Sequence, residues 1–234
     1  RIFKLIGSGT TPLKQDAKNF SSGSIPWVLS RDLNDGALED CQSRITAYAL
    51  ENHSSLKLYP ANSIVIAMYG ATIGKVSLIK FPATVNQACC VLPPSNDFES
   101  KYMFYCLLAL REFLLSLAKG GAQRNINQET IKSLRVPVPT KKEQQLIYQS
   151  LDKEVFKINL LIKAKEKLIK LLKEKRHILI KESITKGIIS SATMKDSGLT
   201  SIGGMPKHWR LIKLSNFFYT KVGKRSHKLT KEYC

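Results

Sequence analysis

The stretch from Thr140 to Gly187 constrains the fold more than any other part of the 234-residue sequence. Thr140 and Glu143 fit a capping box at its start. No glycine or proline follows until Gly187, a residue type that suits the position after a helix end. The stretch therefore predicts one helix, about 70 Å long at about 1.5 Å per residue. Because an ordinary globular helix is shorter, we interpret this helix as an exposed rod.

Eight positions along the rod follow one another at alternating intervals of three and four residues, as in a coiled coil, and all but Lys165 and Arg176 are aliphatic. Lysine and glutamate fill much of the remaining surface. This pattern favours a rod that pairs with a partner, and a helix lying on its own domain is the alternative. We call the six aliphatic positions the seam: Val155, Ile158, Ile162, Ile169, Leu172 and Leu179.

The chain is strongly basic, with a formal net charge of +19 at pH 7. The excess is spread along the chain, at +5 on residues 1–140, +7 on 141–186 and +7 on 187–234. A positive field of this extent attracts polyanions. Nucleic acid is therefore the predicted partner, while an anionic membrane surface and a merely soluble basic protein are the alternatives.

The 5 cysteines and 4 histidines do not have the spacing of a zinc site, so we interpret the thiols as reduced, structural and cytosolic. No apolar run reaches the roughly 18 residues that a membrane span requires. The first residues do not resemble a signal peptide. Because the sequence opens on Arg1 without an initiator methionine, we expect it to start inside a longer polypeptide.

Residues 1–139 predict a mixed α/β domain, so the fold class is α+β with a long coiled-coil-forming helix attached. Gly70–Lys75 superficially resembles a phosphate-binding loop, but its glycines are four apart and Val76 replaces the required hydroxyl. The predicted strands are Ile25–Leu29, Ile64–Ala67, Val76–Ile79, Ala83–Leu92 and Ile131–Val138, and the predicted helix is Lys101–Lys119, capped by Ser100 and ended by Gly120 and Gly121.

A polar loop at Gly120–Asn127 carries arginine, glutamine and asparagine, which can make bidentate contacts with guanine or adenine edges. A solvated turn is the equal alternative for this loop. Beyond the rod, residues 188–204 predict a linker of low order. Trp209–Tyr219, followed by Val222–Lys224, loosely echoes Arg1–Gly7, which indicates that residues 205–234 are the incomplete start of a second copy.

With these features, the chain resembles a specificity subunit of a type I restriction–modification system. No single motif carries the likeness, which depends on four stretches in a characteristic order and covers about residues 1–186. Met205–Trp209 also resembles the entry to a second repeat. The four stretches are Ala67–Val76, Val85–Ala88, Gly121–Ile126 and Leu134–Ile147.

The resemblance implies a non-catalytic, cytoplasmic DNA-binding protein. Such subunits carry two target-recognition domains, each followed by a long helix, and the two helices pair antiparallel to set the distance between DNA half-sites. Modification subunits that methylate adenine dock on the helices, and restriction subunits join them. S-adenosylmethionine, ATP and Mg therefore belong to the partner subunits, with no cofactor and no metal in this chain. This sequence holds one such domain and one rod, with the start of a second domain.

We predict DNA contacts in three places. Gln123, Arg124 and Asn125 would contact bases or backbone, and Tyr69, Thr72 and Lys75 would form a turn facing the groove, although Tyr69 and Thr72 also suit a role in maintaining the fold. Ser8, Thr10 and Lys14 would form a loop on the phosphate side.

The uncovered seam predicts self-association into a dimer that reads a palindromic site. Two other function classes stay open. One is a stand-alone DNA-binding or scaffold module without enzyme partners. The other, least favoured because no catalytic motif occurs, is an enzyme in its own right.

Overall fold

The computed structural model describes residues 6–13, 15–118, 124–188 and 191–218, in which most strands precede the longer helices. The chain divides into a first unit, Arg1–Lys157, and a second unit, Ile158–Cys234. The predicted α+β class is confirmed. The strands are β1 Gly7–Ser8, β2 Ile25–Val28, β3 Ala37–Leu38, β4 Arg44–Ile45, β5 Ile64–Ala67, β6 Val76–Ile79, β7 Thr84–Val85, β8 Cys89–Leu92, β9 Met194–Asp196 and β10 Gly204–Pro206. The helices are α1 Ala47–Asn52, α2 Ser100–Ala109, α3 Arg111–Ser116, α4 Gln128–Ser133 and α5 Lys141–Lys186.

A five-stranded sheet in the order β1-β8-β5-β6-β3 forms the centre of the first unit. Its strands pair antiparallel except for β3, which runs parallel to β6. Along β5 the side chains alternate between two hydrophobic clusters, with Ile64 and Ile66 in one and Val65 and Ala67 in the other. Because both faces are buried, the strand reads as a continuous apolar run rather than an alternating one.

The cluster around Ile64 and Ile66 also contains apolar residues of α2, α3 and α4, so these helices cover that face of the sheet. A smaller three-stranded sheet, in the order β4-β2-β7, supplies residues such as Val28 and Val85 to the opposite cluster. Trp27, Ile45 and Ala49 form a third cluster beside this smaller sheet. The first unit therefore has buried packing on both sides of its central sheet.

The single helix predicted over Lys101–Lys119 is wrong, because α2 and α3 are separated at Leu110, which adopts φ −88° and ψ 4°. The side chain that follows, Arg111, is held by contacts outside the helix, and such tertiary contacts override local propensity. Ser100 is also not the cap. Glu99 takes that position, and its amide donates to the Gln144 side chain at 2.8 Å.

Two strand predictions need correction. Ile131–Val138 begins inside α4, because the Asn127 side chain caps a helix there by accepting from the Thr130 amide at 2.8 Å. Ala83–Leu92 is two strands in different sheets, β7 and β8, separated by a turn in which the Cys89 amide donates to the Asn86 carbonyl at 3.1 Å.

The long helix is confirmed as α5, with 46 residues. Its capping box is formed, since the Thr140 amide donates to Glu143 Oε2 at 2.9 Å and the Glu143 amide donates back to Thr140 Oγ1 at 3.4 Å. At the other end, Gly187 has φ +75°, the left-handed conformation expected after a helix.

The beginning of α5 is fixed to the first unit by two polar attachments. Gln144 is 1% exposed, and its amide group donates to the Pro139 carbonyl at 2.8 Å while accepting from the Glu99 amide. Two turns further on, Asp152 accepts hydrogen bonds from Tyr105, at 2.8 Å, and from Lys101 of α2. Burial raises the pKa of Tyr105, and its bond to Asp152 adds to the shift.

In the second unit, β9 and β10 form an antiparallel hairpin within the stretch predicted as a low-order linker and just beyond it. Gly198 and Gly203, between these strands, have φ near +70°, a conformation that glycine adopts without strain. The proposed domain boundaries at 139, 187 and 204 stay predictions. The echo between the two ends of the chain also stays a prediction, since residues 1–5, 219 and 222–224 of the echoing segments lie outside the described residues.

Candidate nucleic-acid interface

Four strand ends meet at one edge of the five-stranded sheet. Because neighbouring strands are antiparallel, β1 and β5 end at this edge, while β8 and β6 begin there. The loops that leave these ends are therefore neighbours. We call them the loop edge, which comprises Ser8–Thr11, Met68–Lys75, Asn86–Gln87 and Arg124–Asn125.

The segment after α3 is joined to the loop edge by backbone pairing. The Ile126 amide donates to the Met68 carbonyl at 2.8 Å, and Tyr69 forms an antiparallel bridge with Asn125. Ile126 is fully buried in the core, whereas Arg124 and Asn125 are exposed. The buried isoleucine thus anchors a strand-like segment whose preceding polar side chains face solvent beside Tyr69.

The turn between β5 and β6 depends on two glycines. Gly70 has φ +84° and Gly74 has φ +77°, which is left-handed backbone that other residues adopt only with strain. The Gly74 amide donates to the Ala67 carbonyl, and the Lys75 amide donates to the Thr72 carbonyl, both at 2.9 Å. This tight turn holds Thr72 and Lys75 at the loop edge, where both are partly exposed.

The first loop of the chain lies against the end of β7 and the turn that follows it. A Cβ on Gly9 would come within 1.6 Å of the Val85 carbonyl oxygen, so only glycine allows this approach. The Tyr59 hydroxyl donates to the Ser8 carbonyl at 3.0 Å, and the Thr11 hydroxyl donates to the Gln87 side chain. Ser8 and Thr10 are therefore held near Gln87.

Seven of the nine residues predicted to contact DNA lie at the loop edge, and the other two, Lys14 and Gln123, lie outside the described residues. That these side chains contact DNA stays a prediction. The seven are Ser8, Thr10, Tyr69, Thr72, Lys75, Arg124 and Asn125.

Sequence reasoning missed Thr11 and Gln87 at the loop edge, and also Arg111 of α3, which bonds the Gly74 carbonyl of the turn at that edge. Gln87 gave a usable signal, because it is a polar residue that interrupts an apolar run. Arg111 gave none, since one arginine on a predicted helix is ordinary.

The polar side chains described at the loop edge are hydrogen-bond donors and acceptors. Burial raises the pKa of the Tyr69 phenol, so the hydroxyl keeps its proton at neutral pH. Burial likewise raises the pKa of Cys90 to about 12, so this neighbouring thiol stays protonated. Among the described residues, no group of three or more His, Cys, Asp or Glu side chains could hold a metal ion.

The seam is exposed in this structure. Its six residues range from 37% exposed at Val155 to 55% at Ile158, and among the residues of α5 only Gln144 is buried. A second apolar stripe runs beside the seam and is also about half exposed. It consists of Leu161, Leu168, Leu171 and Ile178.

No helix within the described ranges is long and apolar enough to cross a membrane.

Comparison with known proteins decides the family. The model of the type I restriction modification DNA specificity domain matches residues 2–171. The chain belongs to this family. It is 36% identical over 157 residues to the specificity subunit of the type I restriction enzyme EcoR124I/EcoR124II of Escherichia coli, a match that covers 65% of this chain and 38% of that protein.

A second relative is the specificity subunit of the type I restriction enzyme MjaIX of Methanocaldococcus jannaschii. It is 28% identical over 147 residues, which make up 61% of this chain and 33% of that protein. The chain thus spans less than two fifths of the length of these two curated relatives.

Two solved structures share the fold. One chain comes from a study of complex assembly and conformational transition of the type I R-M system, with a TM-score of 0.63 and 18% identity over 78% of this chain and 44% of that one. The other is the HsdS subunit from Thermoanaerobacter tengcongensis, with a TM-score of 0.52 and 19% identity over 68% of this chain and 36% of that one. At these identities the likeness is one of fold.

Proposed function

We propose that this chain reads one half of a bipartite DNA target and thereby sets the site on which methylation and restriction subunits act. One observation carries the proposal. The pairing of Tyr69 with Asn125 brings two stretches that are far apart in the sequence to a single edge, and both stretches lie within the residues that the family model matches.

The loop edge has the side chains that direct readout needs. Arg124 can donate two hydrogen bonds to guanine O6 and N7, and Asn125 can pair with adenine N6 and N7. Thr72 and Lys75, on the turn that faces the groove, would also contact base edges, whereas the hydroxyls of Ser8 and Thr10 would contact phosphates and so fix the register of the protein on the duplex. Gln123 would add a contact to the bases, and Lys14 would add a contact to the phosphates.

In this proposal the chain performs no chemistry. Its modification partners would bind S-adenosylmethionine and methylate adenine, and its restriction partners would use ATP and Mg to cleave DNA. We place the complex in the cytoplasm, where reducing conditions keep cysteine thiols free. Cys41, Cys89, Cys90 and Cys106 are all free in the structure.

The seam would pair with a second rod, supplied by the other half of a full subunit or by a second copy of this chain. An aliphatic side chain left in water gives up roughly 1.5–3 kcal/mol that burial would provide. The second stripe beside the seam widens the apolar surface and supports the docking of methylation subunits on the same helix. Pairing with a second copy would create two identical readers and a palindromic target.

Selection from a pool of duplexes with a randomised central segment tests the proposal, using the full chain as bait. We expect one short sequence to be enriched over the pool. Uniform retention of all sequences would overturn base-specific reading. Co-purification with an adenine methyltransferase from cells that express both would distinguish the specificity subunit from a stand-alone DNA-binding or scaffold module, for which no such partner is expected.

A further inference from the structure

Arg111 and Asp35 hold the turn between β5 and β6 from behind. Arg111 Nε donates to the Gly74 carbonyl at 3.0 Å, and another nitrogen of the same guanidinium pairs with Asp35 Oδ1. That carboxylate oxygen also accepts from the Val76 amide at 3.0 Å. Hydrogen bonds thus hold the backbone on both sides of Lys75. Arg111 bonds Gly74 directly, and Asp35, which is paired with Arg111, bonds Val76.

The side chains that make these bonds to the turn are part of the packed structure. Both side chains are partly buried, with 27% of Arg111 and 31% of Asp35 exposed. Asp35 sits in left-handed backbone at φ +62°, and a Cβ on Gly74 would lie 3.1 Å from Leu115 of the same helix as Arg111. The turn therefore rests on α3, and the break at Leu110 is where the chain redirects just before Arg111.

The donors of Arg111 that face the turn and Asp35 are occupied, so its charge is neutralised within the protein rather than offered to phosphates. A planar guanidinium suits this double role, because it can bond a carbonyl and a carboxylate at the same time. Lysine at this position would keep the charge but could not hold both partners in that geometry.

We propose that Asp35 and Arg111 are positioning residues for DNA reading, which act by fixing the pose of Thr72 and Lys75. This inference rests on the proposed function of the loop edge. It extends the specificity-determining set to two residues that need not touch DNA, one of them acidic.

Because Asp35 is acidic, electrostatics alone and the positioning role predict opposite changes in DNA affinity when its charge is removed. Asp35→Asn removes a negative charge close to the loop edge, and by electrostatics alone that change strengthens DNA binding. If Asp35 positions the turn, the same change weakens binding instead, since the ion pair with Arg111 is lost. Asparagine tolerates the left-handed backbone at this position, so the substitution does not itself strain the loop.

The experiment measures the dissociation constants of the full chain for the selected duplex and for a scrambled duplex, with the active fraction determined by stoichiometric titration. For Asp35→Asn and Arg111→Lys we expect about tenfold weaker binding of the selected duplex, the size of one misplaced base-reading contact. Binding of the scrambled duplex should change little. The specificity ratio, which is the dissociation constant for the scrambled duplex divided by that for the selected duplex, therefore falls. A purely structural defect would lower the active fraction and leave that ratio unchanged.

Asp40→Asn is the matched control, because Asp40 forms an ion pair with Arg44 in the same unit, away from the loop edge. It should leave the ratio at the parental value. Asp35→Asn binding the selected duplex as tightly as the parent, or more tightly, would overturn the inference while leaving the proposed function intact. Failure of the parent to select any sequence would instead overturn the proposed function itself.

A double-substitution cycle supplies a second, independent result. If Arg111 acts through the turn, its replacement by lysine should cost little once Thr72→Ala and Lys75→Ala have already removed the turn's contacts. Additive losses would show that Arg111 contacts DNA directly and would contradict the positioning role.

Discussion

The first unit and the long helix use the same aliphatic residues in opposite ways. Ile64 and Ile66 of the central sheet are fully buried, whereas Ile162 and Ile169 of α5 are 48% and 52% exposed. In the sheet, burial of these side chains stabilises the fold directly. In α5 the same side chains are about half exposed and would contribute as much only if a partner covered them, as in the pairing proposed above.

The largest expected effect comes from the sheet. Ile66→Ala should lower the free energy of unfolding of the first unit by about 2–5 kcal/mol, because it removes buried methylenes and leaves a cavity. Its counterpart Ile169→Ala should change the stability of dilute, monomeric protein by at most about 0.5 kcal/mol, since the side chain is half exposed. Denaturant titration measures both changes in the free energy of unfolding. Equal losses in the two variants would contradict the difference between the sheet and the helix.

The next effect concerns association. Leu172→Glu should weaken pairing through the seam by about tenfold or more, because a charge would be buried where a leucine was. Sedimentation velocity across a concentration series measures it. Lys167→Glu, on the opposite side of the helix, changes the charge by more and should leave pairing nearly intact. A parental chain that stays monomeric at tens of micromolar, the range in which moderately tight dimers form, would contradict pairing with itself.

A pH dependence should separate the two regions as well. Burial raises the pKa of Cys90 from 9.0 to about 12. The unfolded thiol loses its proton near pH 9 while the folded thiol keeps it, so stability of the first unit should fall as pH rises from about 9 towards 12. Cys90→Ala should show a shallower fall, and α5 has no cysteine to respond. Denaturation midpoints that stay constant through this range would contradict burial of the thiol.

The smallest effect lies at the start of α5. Thr140→Ala should destabilise the first turn by about 1 kcal/mol, because the capping box with Glu143 is lost. Hydrogen exchange of the amides at 141–143 measures this fraying. Thr185→Ala is the control, since its hydroxyl bonds back to the Lys181 and Glu182 carbonyls within the helix. Equal protection in both variants would show that the cap does not hold the helix start.

Local signals made α5 and the two central strands predictable. The Thr140 cap, the absence of glycine and proline and the terminal Gly187 all act within a few residues of where they stand. The runs at Ile64–Ala67 and Val76–Ile79 show burial on both faces in their composition alone. The Asn127 cap was also local, and reading Asn127 with Thr130 as a helix start would have avoided the mistaken strand at Ile131.

The remaining features depend on contacts between distant parts of the chain. The break at Leu110 accompanies the bonds of Arg111 to Gly74 and Asp35, which no sequence window contains. The loop edge likewise needs the pairing of Tyr69 with Asn125 and of Thr11 with Gln87. The resemblance to a family indicated which stretches matter, but only the fold shows that they are neighbours.

The most direct test of DNA reading at the loop edge replaces Arg124, which is exposed beside the Tyr69–Asn125 bridge. Affinities of the full chain for the selected duplex and its single-base variants are compared with those of Arg124→Ala and of Lys80→Ala, a lysine at the opposite end of β6. We predict that Arg124→Ala loses about 1–3 kcal/mol and its preference at one base pair, while Lys80→Ala keeps the parental preference. Parental affinity and preference in Arg124→Ala would contradict the account.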